Sequence, residues 1–355
     1  MSLFKRKEKA TGEILAGGES AIANKEVEGL SQGQIVRRRF FRHRAAVGAL
    51  IILTSLILFV MTALDTKIGP IRIPGWWKWT TEDIPALRFE DCPGGTTGCP
   101  TLSLNPGSSF GMGTHPFGQD DIGRDYFALV MNGARRSLMI MFVIGAVAGF
   151  IGVVVGSIAG FYGKMVDAVL MRLVDFIQTV PTIIIAAVIG KAAGKVGPLY
   201  LALFLGILGW TGLARLVRAQ FLSLREMEFV DAARVAGASN IRIAFKHILP
   251  NAVGQIIVAV TLIMAGAILT ETALSYLGFG VVAPDVSLGL LISQYESSFT
   301  TRPWLFWWPG LFIISIALCV NFIGDGLRDA FDPRQRRRIT KKDRLQAKVQ
   351  AKAGA

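Results

Sequence analysis

Ser137 to Tyr162 reads SLMIMFVIGAVAGFIGVVVGSIAGFY, 26 residues without a charged side chain. About 20 apolar residues carry a helix across the hydrocarbon core of a bilayer. Inside lipid the backbone must satisfy its own hydrogen bonds, which leaves helix as the form for such a run. A buried helix of a large soluble protein is the competing reading, and a run this long and this free of charge argues against it. Five other stretches have the same character, so the sequence predicts spans at about 45–64, 137–161, 170–190, 198–214, 252–275 and 305–324. The fold class expected is an all-α membrane protein with six transmembrane helices and a long outer loop between the first two. Composition agrees: 52% of residues are hydrophobic and 18% charged, where soluble domains average about 45–50% and about 25%.

Lys and Arg orient the spans. With the N-terminus in the cytoplasm, six spans return the C-terminus there, and 28 of the 38 basic residues fall on the inner side. That is the positive-inside pattern. It accounts for the net charge of +13 without a nucleic-acid partner. RRRFFRHR against the first span gives the same orientation, while Arg135 and Arg136 run against it. Trp76, Trp77, Trp79, Trp304, Trp307 and Trp308 fall at or beyond outer ends, as interfacial anchors do. The chain then divides into a polar tail (1–36), a first span with a basic flank (37–64), an outer insertion (65–113), a five-span core (114–334) with an inner charged segment at 226–250, and a basic tail (335–355). In the second span Gly145, Gly149, Gly152, Gly156 and Gly160 form a stripe that lets neighbouring helices approach closely.

The inner segment FVDAARVAGASNIRIAFKHILPNA (Phe229 to Ala252) is built differently. A first helix is broken at Gly237, since glycine reaches left-handed backbone angles without steric cost. Ser239 can cap a second helix, and Pro250 marks re-entry into the next span. The reading is a helix–turn–helix along the membrane surface. Phe229, Ala232, Ala233 and Ala236 make a narrow face suited to a groove on another protein.

This segment resembles the EAA motif of ABC importer permeases: Asp231-Ala232-Ala233, Gly237 and Leu249-Pro250 occupy the motif's places, with Asp231 for the usual Glu. HPFGQDDIGRDYFALVMNGARRSL (His115 to Leu138) is similar to the run before the second span of dipeptide and oligopeptide permeases, with Gln119 where that family often has Thr. YGKMVDAVLMRLVDFIQTVP, ETALSYLGFGV and PGLFIISIALCVNFIGDGLRDAFDPR also look like that subfamily, so the resemblance covers most of residues 37–334. The departures are the polar tail, Leu288 where a Trp is common, and the long outer insertion.

The resemblance implies a type I importer permease in a bacterial plasma membrane, with both termini cytoplasmic. Its partners would be a second permease subunit, two ATP-binding cassette subunits holding ATP and Mg, an external solute-binding protein, and membrane lipid. Peptides are the first substrate class, with nickel complexes and glutathione as alternatives. Coupling to the ATPase would fall on Phe229, Asp231, Ala232, Ala233, Gly237, Ile241, His247, Leu249 and Pro250. No phosphate loop occurs in this chain, so no cofactor and no enzymatic role are expected. An ion-gradient carrier would need internal repeats and broken midplane helices, which the sequence does not show convincingly. An intramembrane enzyme would need a catalytic constellation at one depth.

Polar groups inside spans usually face a cavity or the bundle interior, which makes Gln178, Pro181, Glu271 and Ser275 candidates for the translocation path. Glu271 lies about 20 residues from Asn251, roughly 30 Å along a helix, a position read as the outer interface. Asp325, Arg328 and Asp329 read as local ion pairs. Cys92 and Cys99 bracket a short outer loop and are expected to form a disulfide, the alternative being free thiols. Cys319 packs within the last span. His43 and His247 fall inside and His115 outside, so no histidine metal cluster is expected.

Overall fold

The computed structural model describes residues 32–68, 71–88, 92, 96–102, 113–193 and 196–331. Most of the expected N-terminal tail, all of the C-terminal tail and parts of the outer insertion lie outside the described residues.

Helix α1 (Gln32–Arg42) leads into α2 (Arg44–Ala63), with the His43 ring accepting the Ala46 amide as its cap. A two-stranded antiparallel hairpin follows, β1 (Thr66–Ile68) against β2 (Ile71–Ile73), with Lys67 opposite Arg72. Then come α3 (Tyr126–Tyr162), α4 (Lys164–Thr179), α5 (Thr182–Ala193), α6 (Pro198–Gly209), α7 (Thr211–Arg225), α8 (Glu228–Val235) and α9 (Asn240–Arg242). A π turn (Ile243–Ile248) joins α9 to α10 (Leu249–Tyr276); α11 (Leu288–Tyr295) and α12 (Trp304–Phe331) are the last helices named among the described residues.

Four of these helical runs are long and apolar enough to cross a membrane, or six if each of two bent pairs counts as one span. The pairs are the third and fourth expected spans. α4 and α5 meet at 74° because the residue before a proline is pushed off helical angles: Val180 is extended at φ −90°, ψ 129°. α6 and α7 meet at 42° around Trp210. The second span begins at Tyr126, eleven residues before its expected start, and the fourth runs to Arg225 rather than 214.

α3 is the centre of the bundle. Its glycine stripe divides between two neighbours. Gly145 and Gly149 face Met264 and Val260 of α10, while Gly152, Gly156 and Gly160 face Leu213, Val217 and Phe221 of α7. A Cβ on Gly156 would lie 2.7 Å from the Val217 Cβ, so the two helices touch through the absence of a side chain. The outer half of the core is built on Tyr126 to Met131, all but fully buried, against Leu288, Leu305 and Ile316. An inner core gathers Leu213, Val217, Phe221, Val230, Ile243 and Ile248.

Candidate functional site

The inner segment from Met227 to Pro250 forms an elbow, though not the one expected. α8 is pinned by Val230 and Ala233, whose side chains turn into the core beside Phe221 and Ile243. Ala233 therefore does not belong to the outward face drawn from sequence. That face consists of Phe229, Ala232 and Ala236, with Val235 91% exposed at its tip. The chain then turns at Gly237, whose φ of +78° suits glycine, with open space where a Cβ would stand. Ser239 accepts the Arg242 amide.

From Asn240 there is no separate surface helix and no break at Pro250. α9, the π turn and α10 form one helical run of 37 residues, Asn240–Tyr276. A proline inside a helix removes an N–H and clashes with the carbonyl four residues back. Here the wider π spacing precedes it, with the Leu249 amide bonding the Ala244 carbonyl, and the Asn251 side chain donates to the His247 carbonyl at 2.7 Å. Ile241 and Phe245 stay exposed, His247 and Leu249 half-buried. Asp231 pairs with Arg234 at 2.9 Å on the open side.

The path candidates separate into two groups. Gln178 and Pro181 lie on the exposed side of α4 and its bend, Gln178 donating to the Thr211 hydroxyl at 2.9 Å. Two further links tie α4 to α7. Arg218 grips Asp167 with two bonds, Nη2 to Oδ2 at 2.6 Å being one, and Arg215 Nη2 meets Asp175 Oδ1 at 2.5 Å. Sequence alone did not pair these residues, which stand 40 or more positions apart.

Glu271 and Ser275 are elsewhere. Glu271 is fully buried, not at an interface, and accepts from Ser137 at 3.1 Å and Ser275 at 2.8 Å. The Ser137 hydroxyl in turn accepts the Leu288 amide, and Ser275 accepts that of Val281. What buries the carboxylate is α11, a short helix the sequence reading missed, folded over the outer ends of α3 and α10. These residues tie three elements together inside the subunit and do not line an open path.

The outer face carries a polar knot made from the His115–Tyr126 motif. Asp125 caps α3 through the Ala128 amide and also holds His115 Nδ1 at 2.8 Å and the Trp77 indole at 2.7 Å. Asp120 takes Arg124 Nε at 2.6 Å and the Tyr295 hydroxyl at 3.2 Å. Burial works against the Arg124 charge, but the bond and attraction to Asp120 prevail and hold its pKa above the usual arginine value. Burial, then the Asp120 charge, pushes the Tyr295 phenol well above the usual tyrosine range. Gln119, fully buried, reaches the insertion: Oε1 accepts from the Arg88 amide and Nε2 donates to the carbonyls of Ala86 and Gly123. Cys92 and Cys99 are joined in a disulfide, and Arg302 of the last outer loop reaches Asp121 and Thr97. At the inner end Asp329 pairs with His43 at 3.4 Å, across helices rather than locally.

Residues 152–337 match the family described as binding-protein-dependent transport system inner membrane component. Residues 31–66 match the N-terminal transmembrane domain of oligopeptide transport permease C. The oligopeptide transport system permease protein OppC of Escherichia coli K12 is 37% identical over 311 residues, 88% of this chain and 94% of that one. OppC of Haemophilus influenzae is 35% identical over 315 residues, 89% and 93% of the two chains. OppC of Mycobacterium tuberculosis is 37% identical over 307 residues, 86% and 96%. Among solved structures, an inward-facing MetNI methionine ABC transporter aligns at 21% identity with a TM-score of 0.47, over 58% of this chain and 97% of that one.

Proposed function

This chain belongs to the binding-protein-dependent transport inner membrane component family, as an OppC-like, non-catalytic permease subunit, and we propose that it carries oligopeptides across the inner membrane. Nickel complexes and glutathione remain the substrates against which that choice is tested. It would form half of the path with a second, similar subunit. Two ATPase subunits, which bind the ATP and Mg, would dock on the inner elbow, and a solute-binding protein would dock outside. Both termini are placed in the cytoplasm on the strength of the basic residues at the inner ends.

One observation carries the coupling. α8 is fastened to the core by Val230 and Ala233, yet holds Phe229 and Val235 outward, with Ile241 and Phe245 exposed beyond the Gly237 turn. An apolar cluster on a solvated, charged surface suits a protein partner. Ile241 and Phe245 stand on the run that continues without interruption into α10, so displacement of that part of the docking face must move a span. An ATPase transmits work only if its two conformations contact this face differently.

The test is a reconstituted complete transporter carrying Val235→Glu. It should assemble in the membrane but lose peptide-stimulated ATP hydrolysis and uptake together. Unchanged, coupled hydrolysis in that variant would remove the elbow from the coupling role. Uptake of nickel or glutathione in place of any peptide by the wild type would correct the substrate.

A further inference from the structure

We propose that α1 holds an anionic phospholipid of the leaflet on the elbow's side, Arg37 and Arg38 taking the headgroup phosphate and Phe41 resting against its acyl chains. The site goes beyond the transport reading and is the same whatever the cargo.

Charge comes first. From Gln32 to Ala63 the chain carries Arg37, Arg38, Arg39, Arg42 and Arg44 and no acidic residue. The adjoining end of α12 brings Asp325, Arg328 and Asp329, the last already engaged by His43 at 3.4 Å. Among the described residues no carboxylate pairs with Arg37 or Arg38.

Packing decides where that charge points. Phe40 is buried, and with Val36 it packs against Leu327 and Ala330 of α12. Val36 and Phe40 are one turn apart, so the other side of α1 turns away from the protein. That side carries Gln34, Arg37, Arg38 and Phe41 at three- and four-residue spacings, all exposed, and the four border one open recess. Phe41 is 61% exposed, its ring edge-on to that of Phe40 at 5.8 Å.

The spans set the depth. His43 leaves helical angles and Arg44 begins α2, which puts Phe41 within a turn of the end of a span. The other span that α1 touches ends at Phe331, whose ring a Cβ on Gly254 of α10 would meet at 2.6 Å. Gly254 lies one turn after Pro250, so α1 and the elbow share one end of the bundle. Of the four uninterrupted spans α2 is the least buried, with Ile51, Ile52 and Leu58 exposed, so α1 adjoins the perimeter of the subunit.

A guanidinium binds phosphate through two parallel bonds, and apolar rings of interfacial helices settle at the boundary of headgroups and chains. Two arginines and a phenyl on one face at this depth match a molecule that is anionic at one end and apolar at the other. A nucleotide or an acidic protein segment would satisfy the arginines and leave the ring in water. Each basic side chain beside an anionic membrane surface adds attraction of roughly fivefold.

The test uses the complete transporter in neutral detergent, titrated with phosphatidylglycerol or phosphatidylcholine of the same chains, with bound lipids counted by native mass spectrometry. Arg37→Gln combined with Arg38→Gln should weaken one bound phosphatidylglycerol about tenfold or more and leave phosphatidylcholine binding unchanged. Arg242→Gln combined with Lys246→Gln, which removes the same charge from the elbow, should keep that lipid. Excess glycerol phosphate should not displace it, and Phe41→Ser should weaken it. Should the double arginine variant insert poorly, Arg38→Gln alone should show a loss of about fivefold. No loss in the arginine variants, an equal loss in the elbow variant, or an equal loss of phosphatidylcholine would overturn the site. Displacement by glycerol phosphate would make it a soluble-phosphate site and overturn the lipid assignment. Loss of the ATPase subunits with the lipid count unchanged would make the face a protein contact instead.

Discussion

Gln119→Ala offers a direct measure of how the outer insertion is held. The Gln119 side chain makes three bonds, to the Arg88 amide at 2.9 Å, the Ala86 carbonyl at 3.1 Å and the Gly123 carbonyl at 2.9 Å, and is fully buried. An internal hydrogen bond nets about 0.5–1.5 kcal/mol, and a buried group left without a partner costs about 1–3 kcal/mol. Ala86 is exposed, so water can repair part of the loss, and about 2–4 kcal/mol is the expected local cost. With a tenfold factor for every 1.4 kcal/mol, the Arg88 amide should exchange with deuterium about 30 to 700 times faster. Hydrogen-exchange mass spectrometry in nanodiscs reads this on peptides covering Arg88, with the Ala128 amide, bonded to Asp125, as an internal reference that should not move. Gln119→Thr should behave like the alanine variant, because its hydroxyl is too short to reach the insertion. An Arg88 exchange rate within threefold of wild type in both variants would refute the claim that this side chain anchors residues 86–88.

Three further outcomes follow from the geometry. Gly156→Leu drives a side chain into Val217 and the Ala214 carbonyl; overpacking of about 1–3 kcal/mol should lower the thermal midpoint in detergent, whereas Gly266→Leu, where a Cβ meets nothing, should leave it unchanged. Gly237→Val forces a branched residue into the left-handed region at about 1–2 kcal/mol, and should preserve membrane insertion while abolishing transport-linked ATP hydrolysis, as a reconstituted ATPase assay would register. Cys99→Ser removes a short covalent loop worth about 2–3 kcal/mol on the chain-entropy account, and should raise proteolysis of the insertion near Thr97; finding both sulfurs alkylatable in the wild type by non-reducing peptide mapping would contradict the pairing.

The spans were legible where one uninterrupted apolar run makes one helix, as in α3, α10 and α12, and the glycine stripe announced the close approaches of α3. Hydropathy blurred the third and fourth because it weighs composition and not direction: Pro181 and Trp210 redirect the chain without making it polar. Glu271 was placed at the right distance along its helix and in the wrong surroundings, since only tertiary structure brings α11 over it. Ala233 and Ala236 share one small-residue pattern, yet Ala233 is buried and Ala236 exposed, a distinction that three and four residue spacings in so short a helix do not resolve. Asp175 and Arg215 carry no local signature, as their partnership exists only once α4 and α7 are side by side. The π turn before Pro250 is likewise invisible in a pattern that reads equally well as a helix start.

The unbroken run from Asn240 to Tyr276 makes the second arm of the inner elbow and the buried Glu271 parts of a single rod, about 55 Å long at 1.5 Å per residue. A stiff lever of that length turns a 10° swing at its cytoplasmic handle into a sweep of about 10 Å at the far tip. The serine hydroxyls that clasp Glu271 and the α11 amide would then be wrenched or released in step with every stroke below, with no relay of intermediate contacts. Spin labels at Ile241 and Leu269, both exposed on this run, followed through a nucleotide cycle, would show the two ends moving in one concerted jump; independent motion would mean the shaft bends at its π turn.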